Sequence, residues 1–390
     1  MFFIDQPYVS NFLKETLREY SLPVVNTTAA QSLGLLEGTN LVDESAAING
    51  IRNTENPRIY CSSENSIGWI AEHLSFTEYP RQIELFKNKL KFREVTQPMV
   101  PSFFFRGVSI AELQEIEFSS LPLPFIIKPT AGFCSLGVYK VGSHREWLEV
   151  LKVLMDEREE TKDLYPSEVL DTDTYIIEEC LEGEEFAFDA YYNAEGKPVL
   201  LGIYKHLFKS EYDMSDRVYL TSKEILEAHL EEFTEFSREL GQLIGLKNFP
   251  MHVELRRKSD GTLAPIEVNP MRFGGWCTTA DTTFHAYGVN PYLYYYEQGE
   301  PQWEEILQGK EGKVFSFIVL DNSTGVHTDD ILSFDYERLQ ATFEKPLELR
   351  TFDYRKYQLF GMLFAETRED NFEEIERVLH SDLKEFITTS

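Results

Sequence analysis

The segment "MHVELRRKSDGTLAPIEVNPMRFGG", residues 251–275, gathers side chains whose types and spacing could do chemistry. Asp260-Gly261 between two alternating runs predicts a two-residue hairpin turn. With that turn, paired positions sum to 521. Glu254 then faces Glu267 and His252 faces Asn269, all four on one side of the ribbon. Two like charges directly opposed destabilise a sheet unless something compensates. A divalent cation is the natural compensation, since two carboxylates and an amide oxygen are the hard ligands that Mg²⁺ takes beside nucleotide phosphates. The alternative for the same face is a pair of solvated glutamates, and a one-residue slip would separate them. Arg272, in the glycine-rich exit with Gly274 and Gly275, could grip a phosphoryl group or a carboxylate through both arms of its guanidinium. Otherwise it is an ordinary surface arginine.

A second candidate is "PFIIKPTAGFCSLGVYKV", residues 124–141, in which two apolar runs flank the loop 132–137. Its glycine spacing matches the first half of a P-loop, yet Val138-Tyr139 stand where that motif needs Lys-Ser or Lys-Thr. The nearest lysine upstream, Lys128, ends a β-rich run. Cys134 and Ser135 read as small turn residues rather than nucleophiles.

The elements that must carry these groups follow from pattern. Near the N-terminus "MFFI", "LPVVN" and "PRIYCSS" alternate with amphipathic stretches, a βαβα rhythm that predicts a small parallel-sheet unit over residues 1–85. "FKNKLKFREV" reads as one charged helix opening the next unit. The runs on either side of loop 132–137 read as antiparallel strands, and 144–171 as charged helix. "NAEGK" reads as a turn between two strands. Thr221 and Glu224 form a capping box ahead of a helix over 222–245, where Leu226, Leu230, Phe233, Leu240 and Ile244 recur at helical spacing. The tail closes on a helical pattern over 371–387.

Composition bounds the function. At 390 residues the chain exceeds one ordinary core. Its net charge of −29 argues against a nucleic-acid partner, whose footprint is basic. It contains no apolar run long enough to span a membrane, and its first residues lack the basic start of a signal peptide. Four scattered cysteines without CxxC spacing read as reduced, metal-free thiols in a cytoplasm.

Taken in order, these segments resemble the ATP-grasp superfamily, in particular its carboxylate–amine ligases, over about residues 85–290. The resemblance implies an α/β (α+β) ATP-grasp fold. Its parts would be an N-terminal βαβα domain (1–85), a small lobe with the glycine loop (86–182), a large lobe with the metal site (183–300) and a C-terminal α+β lobe (301–390). Antiparallel sheets of the two core lobes would sandwich ATP. "NKLKFR" is similar to the opening segment and implies that Lys89 reaches the phosphates. "IIKPTAGFCSLGV" implies the same for Lys128, with Ser135 and Gly137 in a mobile covering loop. "IIEECLEGEEF" resembles the adenine hinge. It would set Glu178 and the backbone from Glu179 to Leu181 against the base, and Glu185 on the ribose. Lys205 joins the nucleotide ligands on motif order. "HVEL" and "IEVNPMRFGG" resemble the metal strands, with Glu254, Glu267 and Asn269 holding Mg²⁺ (Mn²⁺ as the alternative ion) and Arg272 as the stabilising cation. Met271 departs from the family pattern by separating Pro270 from Arg272. The segment after the site would approach the substrate, with Trp276, Asp281 and His285 as candidates.

The implied activity is ATP-dependent joining of a small-molecule carboxylate to an amine, or less commonly a thiol, through an acyl phosphate with release of ADP and phosphate. A phosphotransferase and a non-catalytic nucleotide-binding module are the alternatives. A homodimer is the default assembly.

Overall fold

The computed structural model describes the chain except residues 132–136, 162–173, 211–212, 214 and 390. The N-terminal rhythm folds as expected. The short strands Leu41–Val42, Val24–Val25, Phe2–Phe3 and Tyr60–Cys61 form one parallel sheet in that order. A second sheet of antiparallel strands has the order Phe105–Ser109, Thr174–Glu179, Phe125–Pro129 and Tyr139–Val141. The runs flanking the glycine loop are therefore antiparallel neighbours.

The largest sheet has eight antiparallel strands. Their order is Leu263–Pro270, Phe249–Arg257, Glu184–Tyr192, Pro198–Leu207, Val218–Ser222, Lys313–Asp321, Leu359–Arg368 and Pro346–Thr351. The C-terminal segment thus extends this sheet, and only Ile331–Phe334 pairs apart from it, with Ile387–Thr389, among the described residues. The helix Lys223–Ile244 covers one face of the large sheet. Leu226, Phe233, Leu240 and Ile244 bury there with Phe186, Phe188, Met251 and Val253, and each such side chain contributes about 1.5–3 kcal/mol of burial. Because side chains alternate along a strand, the opposite face remains for polar groups.

Three local expectations are corrected. The charged stretch expected as one helix is two, Tyr79–Lys87 and Lys89–Thr96. Asn88 breaks it in extended backbone, and its side chain caps the second helix by accepting from Leu90 N and Lys91 N. The long helix is capped by Ser222, which accepts from Ile225 N, because Thr221 still belongs to the strand and pairs with the Tyr287 hydroxyl. Gly245 ends it at φ +76°, the left-handed stop that glycine favours. The terminal helix stops at His380, and Ile387–Thr389 pairs as a strand. Among the described residues, no helix is long and apolar enough to cross a membrane.

Candidate active site

The face of the large sheet opposite Lys223–Ile244 floors a cavity of about 500 Å³. Alternation explains what stands there. On Phe249–Arg257 the core takes Met251, Val253 and Leu255, which leaves His252, Glu254 and Arg256 in the cavity lining. Glu185 and His206 join them from the next two strands, and Glu267 from the sheet edge. Lys89, Lys128 and Val138 close the opposite side. At the far end the lining turns apolar and aromatic, with Tyr219, Trp276, Phe317, Val319 and Met362.

Glu254 pairs directly with Glu267 and His252 with Asn269, as the hairpin arithmetic expects. The turn differs from the expectation, however. Lys258 N donates to Thr262 O at 2.9 Å, so the loop has three residues, Ser259 to Gly261, with Gly261 at φ +87°. That alone would shift the register by one. A β-bulge restores it, because Glu254 pairs with Glu267 while Leu255 pairs with Pro265, leaving Ile266 unpaired and in the cavity lining.

The electrostatics follow from this crowding. Partial burial and the facing Glu267 carboxylate push the Glu254 carboxyl above its usual range. Asn269 Nδ2 donates to Glu267 Oε1 at 3.1 Å and lies 3.5 Å from Glu254 Oε1. A half-turn of that amide would bring its oxygen to the same point. Among the described residues, no three His, Cys, Asp or Glu side chains group as metal ligands. A cation on this floor would therefore take two carboxylates, an amide oxygen and oxygens of its ligand, a hard-donor set that suits Mg²⁺. Burial works against a charged His252. Asp189, whose Oδ1 lies 2.8 Å from His252 Nδ1, and Glu254, whose Oε1 lies 3.5 Å from Nε2, outweigh it and hold the ring up at about 9.

The two lysines differ. Lys89 sits at the first position of its helix, its N–H donating to Thr130 O at 2.8 Å, and burial together with Lys128 draws its ammonium down to about 8. Lys128 forms an ion pair with Glu178, which also accepts from Arg93 Nε at 2.8 Å. Burial alone would raise the Glu178 carboxyl, but Lys128 and Arg93 outweigh it and hold it at about 2. Glu185 accepts from Arg256 Nε at 3.0 Å and Nη2 at 2.9 Å, and lies 2.9 Å from His206 Nδ1. These partners keep its carboxyl low against the effect of burial.

Several expected ligands stand elsewhere. Glu178 is buried between two cations and does not line the cavity. Glu179 N donates to Phe104 O, Cys180 N to Pro124 O, and Leu181 O accepts from Arg256. This stretch is thus bonded within the protein and stands outside the lining. Lys205 lies on the other face of its strand, paired with Glu184, and its neighbour His206 takes the cavity side. Arg272 is held by Glu64 of the N-terminal unit at 3.0 Å, also outside the lining. Met271, just before it, is buried at φ +66°, its N–H donating to Pro250 O and its carbonyl accepting from Cys61 N. Gly137, at φ +71°, packs beside Pro129. Ser135 and Cys134, with the loop 132–136, lie outside the described residues. Trp276 lines the cavity, whereas Asp281 and His285 belong to a cluster behind it.

Sequence reasoning missed Arg93 and His206. Arg93 follows Lys89 by one helical turn on "KLKFR", a spacing that could have marked it. His206 carries a signal only once the strand's facing is known.

A family model described as an ATP-grasp domain matches residues 121–280. No curated protein matches the chain. Among solved structures, an L-amino acid ligase from Bacillus licheniformis superposes with a TM-score of 0.70 at 18% identity, covering 100% of this chain and 98% of that one. An N5-carboxyaminoimidazole ribonucleotide synthetase from Thermotoga maritima gives 0.63 at 14% identity, covering 99% and 98%. The biotin carboxylase domain dimer of a 2-oxoglutarate carboxylase from Hydrogenobacter thermophilus, in complex with MgADP, ADP and bicarbonate, gives 0.61 at 12% identity, covering 100% and 90%. At such identities the likeness is one of fold.

Proposed function

From the ATP-grasp domain matched over residues 121–280, we propose that this chain is an ATP-dependent ligase joining a carboxylate to an amine through an acyl phosphate. The observation that carries the reading is the opposed pair Glu254 and Glu267 on the floor of a cavity faced by Lys89 and Lys128, with the buried Asn269 bonded to Glu267 beside them. ATP would lie between floor and roof, its phosphates towards the two lysines and its ribose towards Glu185. The solved structure that carries MgADP has this fold, which supports ATP as the nucleotide here. Glu254, Glu267 and Asn269 would hold Mg²⁺, or Mn²⁺ in its place, and the bound ion would supply positive charge to the phosphate oxygens.

Phosphoryl transfer asks a protein mainly for alignment and charge stabilisation. A substrate carboxylate oxygen attacks the γ-phosphorus, the bond to the bridging oxygen breaks, and ADP leaves. An amine nitrogen then attacks the acyl carbon, the acyl–oxygen bond to phosphate breaks, and orthophosphate leaves as the nitrogen loses its proton. Lys89 and Lys128 share the charge of the transferring group. Glu178, itself held by Arg93, fixes Lys128 from behind, so the ammonium would meet ATP already oriented. Exclusion of water from this site would matter, because acyl phosphates hydrolyse. The apolar end of the cavity, with Trp276, Phe317, Val319 and Met362, suits an acid or amine bearing an apolar side chain.

The test is Mg²⁺-dependent release of ADP and phosphate with pooled carboxylic acids crossed against pooled amines. Release that needs both pools is the expected result. A phosphorylated product from one pool, without free phosphate, would mark a phosphotransferase. MgATP binding without turnover on any pool would mark a nucleotide-binding module.

A further inference from the structure

We infer that Arg350, on the strand Pro346–Thr351, is a positioning residue that holds Trp276 in place as a wall of the cavity. The C-terminal segment thereby becomes part of the site. The inference rests on reading that cavity as the place of reaction. Trp276 and Cys277 are consecutive residues at φ +56° and +60°. Side chains larger than glycine rarely hold left-handed backbone unless their surroundings impose it. Here the surroundings are specific. The Trp276 ring stacks on Tyr8 (centroids 6.0 Å apart, planes 18°) and meets the edges of Phe352 at 5.0 Å and Tyr357 at 5.3 Å. Its carbonyl accepts from Arg350 Nη1 at 3.3 Å.

Every other arm of the guanidinium is committed. Nη2 donates to Asp281 Oδ2 at 2.6 Å and to Glu348 Oε2 at 3.0 Å, and Nε donates to Glu348 Oε1 at 2.8 Å. Phe364 lies under the guanidinium carbon at 4.3 Å, and the Arg350 side chain is only 3% exposed. Asp281 is fully buried on the helix that follows Trp276, with the Tyr292 hydroxyl on its other oxygen at 3.0 Å. His285, one turn further, lies 2.9 Å from Glu348. One planar fork therefore ties the C-terminal strand to that helix and to the carbonyl of the residue whose ring lines the cavity. Lysine would keep the charge but could not make these bonds together.

The test compares the chain with its Arg350→Lys variant. The Trp276 emission is taken in each background as the difference from the same chain carrying Trp276→Phe. In Arg350→Lys this component shifts to the red and becomes more quenchable by acrylamide, while binding of MgADP by calorimetry is unchanged. For any acid–amine pair that releases phosphate, the KM of the pair rises on the order of tenfold and the KM for ATP holds. Should Arg350→Lys not fold, Glu348→Gln keeps Arg350 and Asp281 and produces a smaller shift of the same sign. A folded variant with an unaltered Trp276 component overturns the inference. So does loss of MgADP binding along with the shift, which would mean general collapse of the cavity. Failure of the ligase reading appears separately, as no phosphate from any pool with the unsubstituted chain, and leaves the Trp276 shift intact.

Discussion

Replacing Glu178 with glutamine removes the one carboxylate shared by Lys128 and Arg93. All three side chains are buried, at 5%, 11% and 3% exposure respectively, so the two cations left behind lose their shared counter-charge. Arg93 keeps the carbonyls of Pro265 and Ile266 and the Phe103 ring. Breaking a buried pair by removing one partner costs about 3–5 kcal/mol. Titration gives a second route to the magnitude. The carboxyl falls from an ordinary 4.5 to about 2 on folding, and a difference of that size is worth about 3 kcal/mol. Because the folded value is the lower one, the contribution is complete above the ordinary value and is lost as pH falls through the folded one. About half of it remains at pH 3. The assay is urea unfolding followed by the emission of Trp147, which packs edge-on against Phe125 in the same small sheet's core at 5.5 Å. Wild type and Glu178→Gln should differ by about 3 kcal/mol at pH 7 and by roughly half as much at pH 3. A difference below about 0.5 kcal/mol, typical of an exposed pair, or one that does not change with pH, would refute the reasoning.

Other outcomes follow from the floor of the cavity and its support. Glu267→Gln should lower turnover by on the order of 10²–10³ and raise the Mg²⁺ concentration needed; undiminished turnover at low Mg²⁺ would remove it from the metal site. Lys205→Ala should leave nucleotide affinity unchanged, since that side chain faces Glu184, whereas Glu185→Gln should weaken it; calorimetry with ADP decides between them, and the reverse order would contradict the facing described here. Phe233→Ala, beneath the sheet that carries the glutamates, should cost about 3–5 kcal/mol by thermal or urea unfolding, and a loss below 1 kcal/mol would mean that this helix does not support the floor.

How legible the site was depended on how local its determinants are. The pairing of Glu254 with Glu267 was reachable because a hairpin's register is set within a few residues, yet it was reached through two compensating differences. The three-residue loop and the bulge at Ile266 each move the register by one, in opposite directions. The parallel N-terminal sheet and the antiparallel pair around the glycine loop were also visible, since alternation and glycine spacing mark strands directly. Boundaries were not. Asn88 and Ser222 won as caps because their side chains satisfy helix N–H groups that periodicity does not count. The facing of Lys205 against His206 turns on a one-residue phase that two adjacent basic residues cannot reveal. Arg93 with Glu178, Arg272 with Glu64 and Arg350 with Asp281 join residues far apart in the chain. Nothing local in sequence signals such pairs, and they decide which charged groups remain for a ligand.

The most direct test of the account follows an oxygen atom. Once splitting the pools identifies the acid, that acid is supplied with heavy oxygen in its carboxylate, together with the amine and MgATP. If the carboxylate attacks the γ-phosphorus, the phosphate released should carry one heavy oxygen and the new amide should retain the other. Phosphate without label, with the heavy oxygen lost from the acid found in the nucleotide or in water, would contradict the acyl-phosphate route.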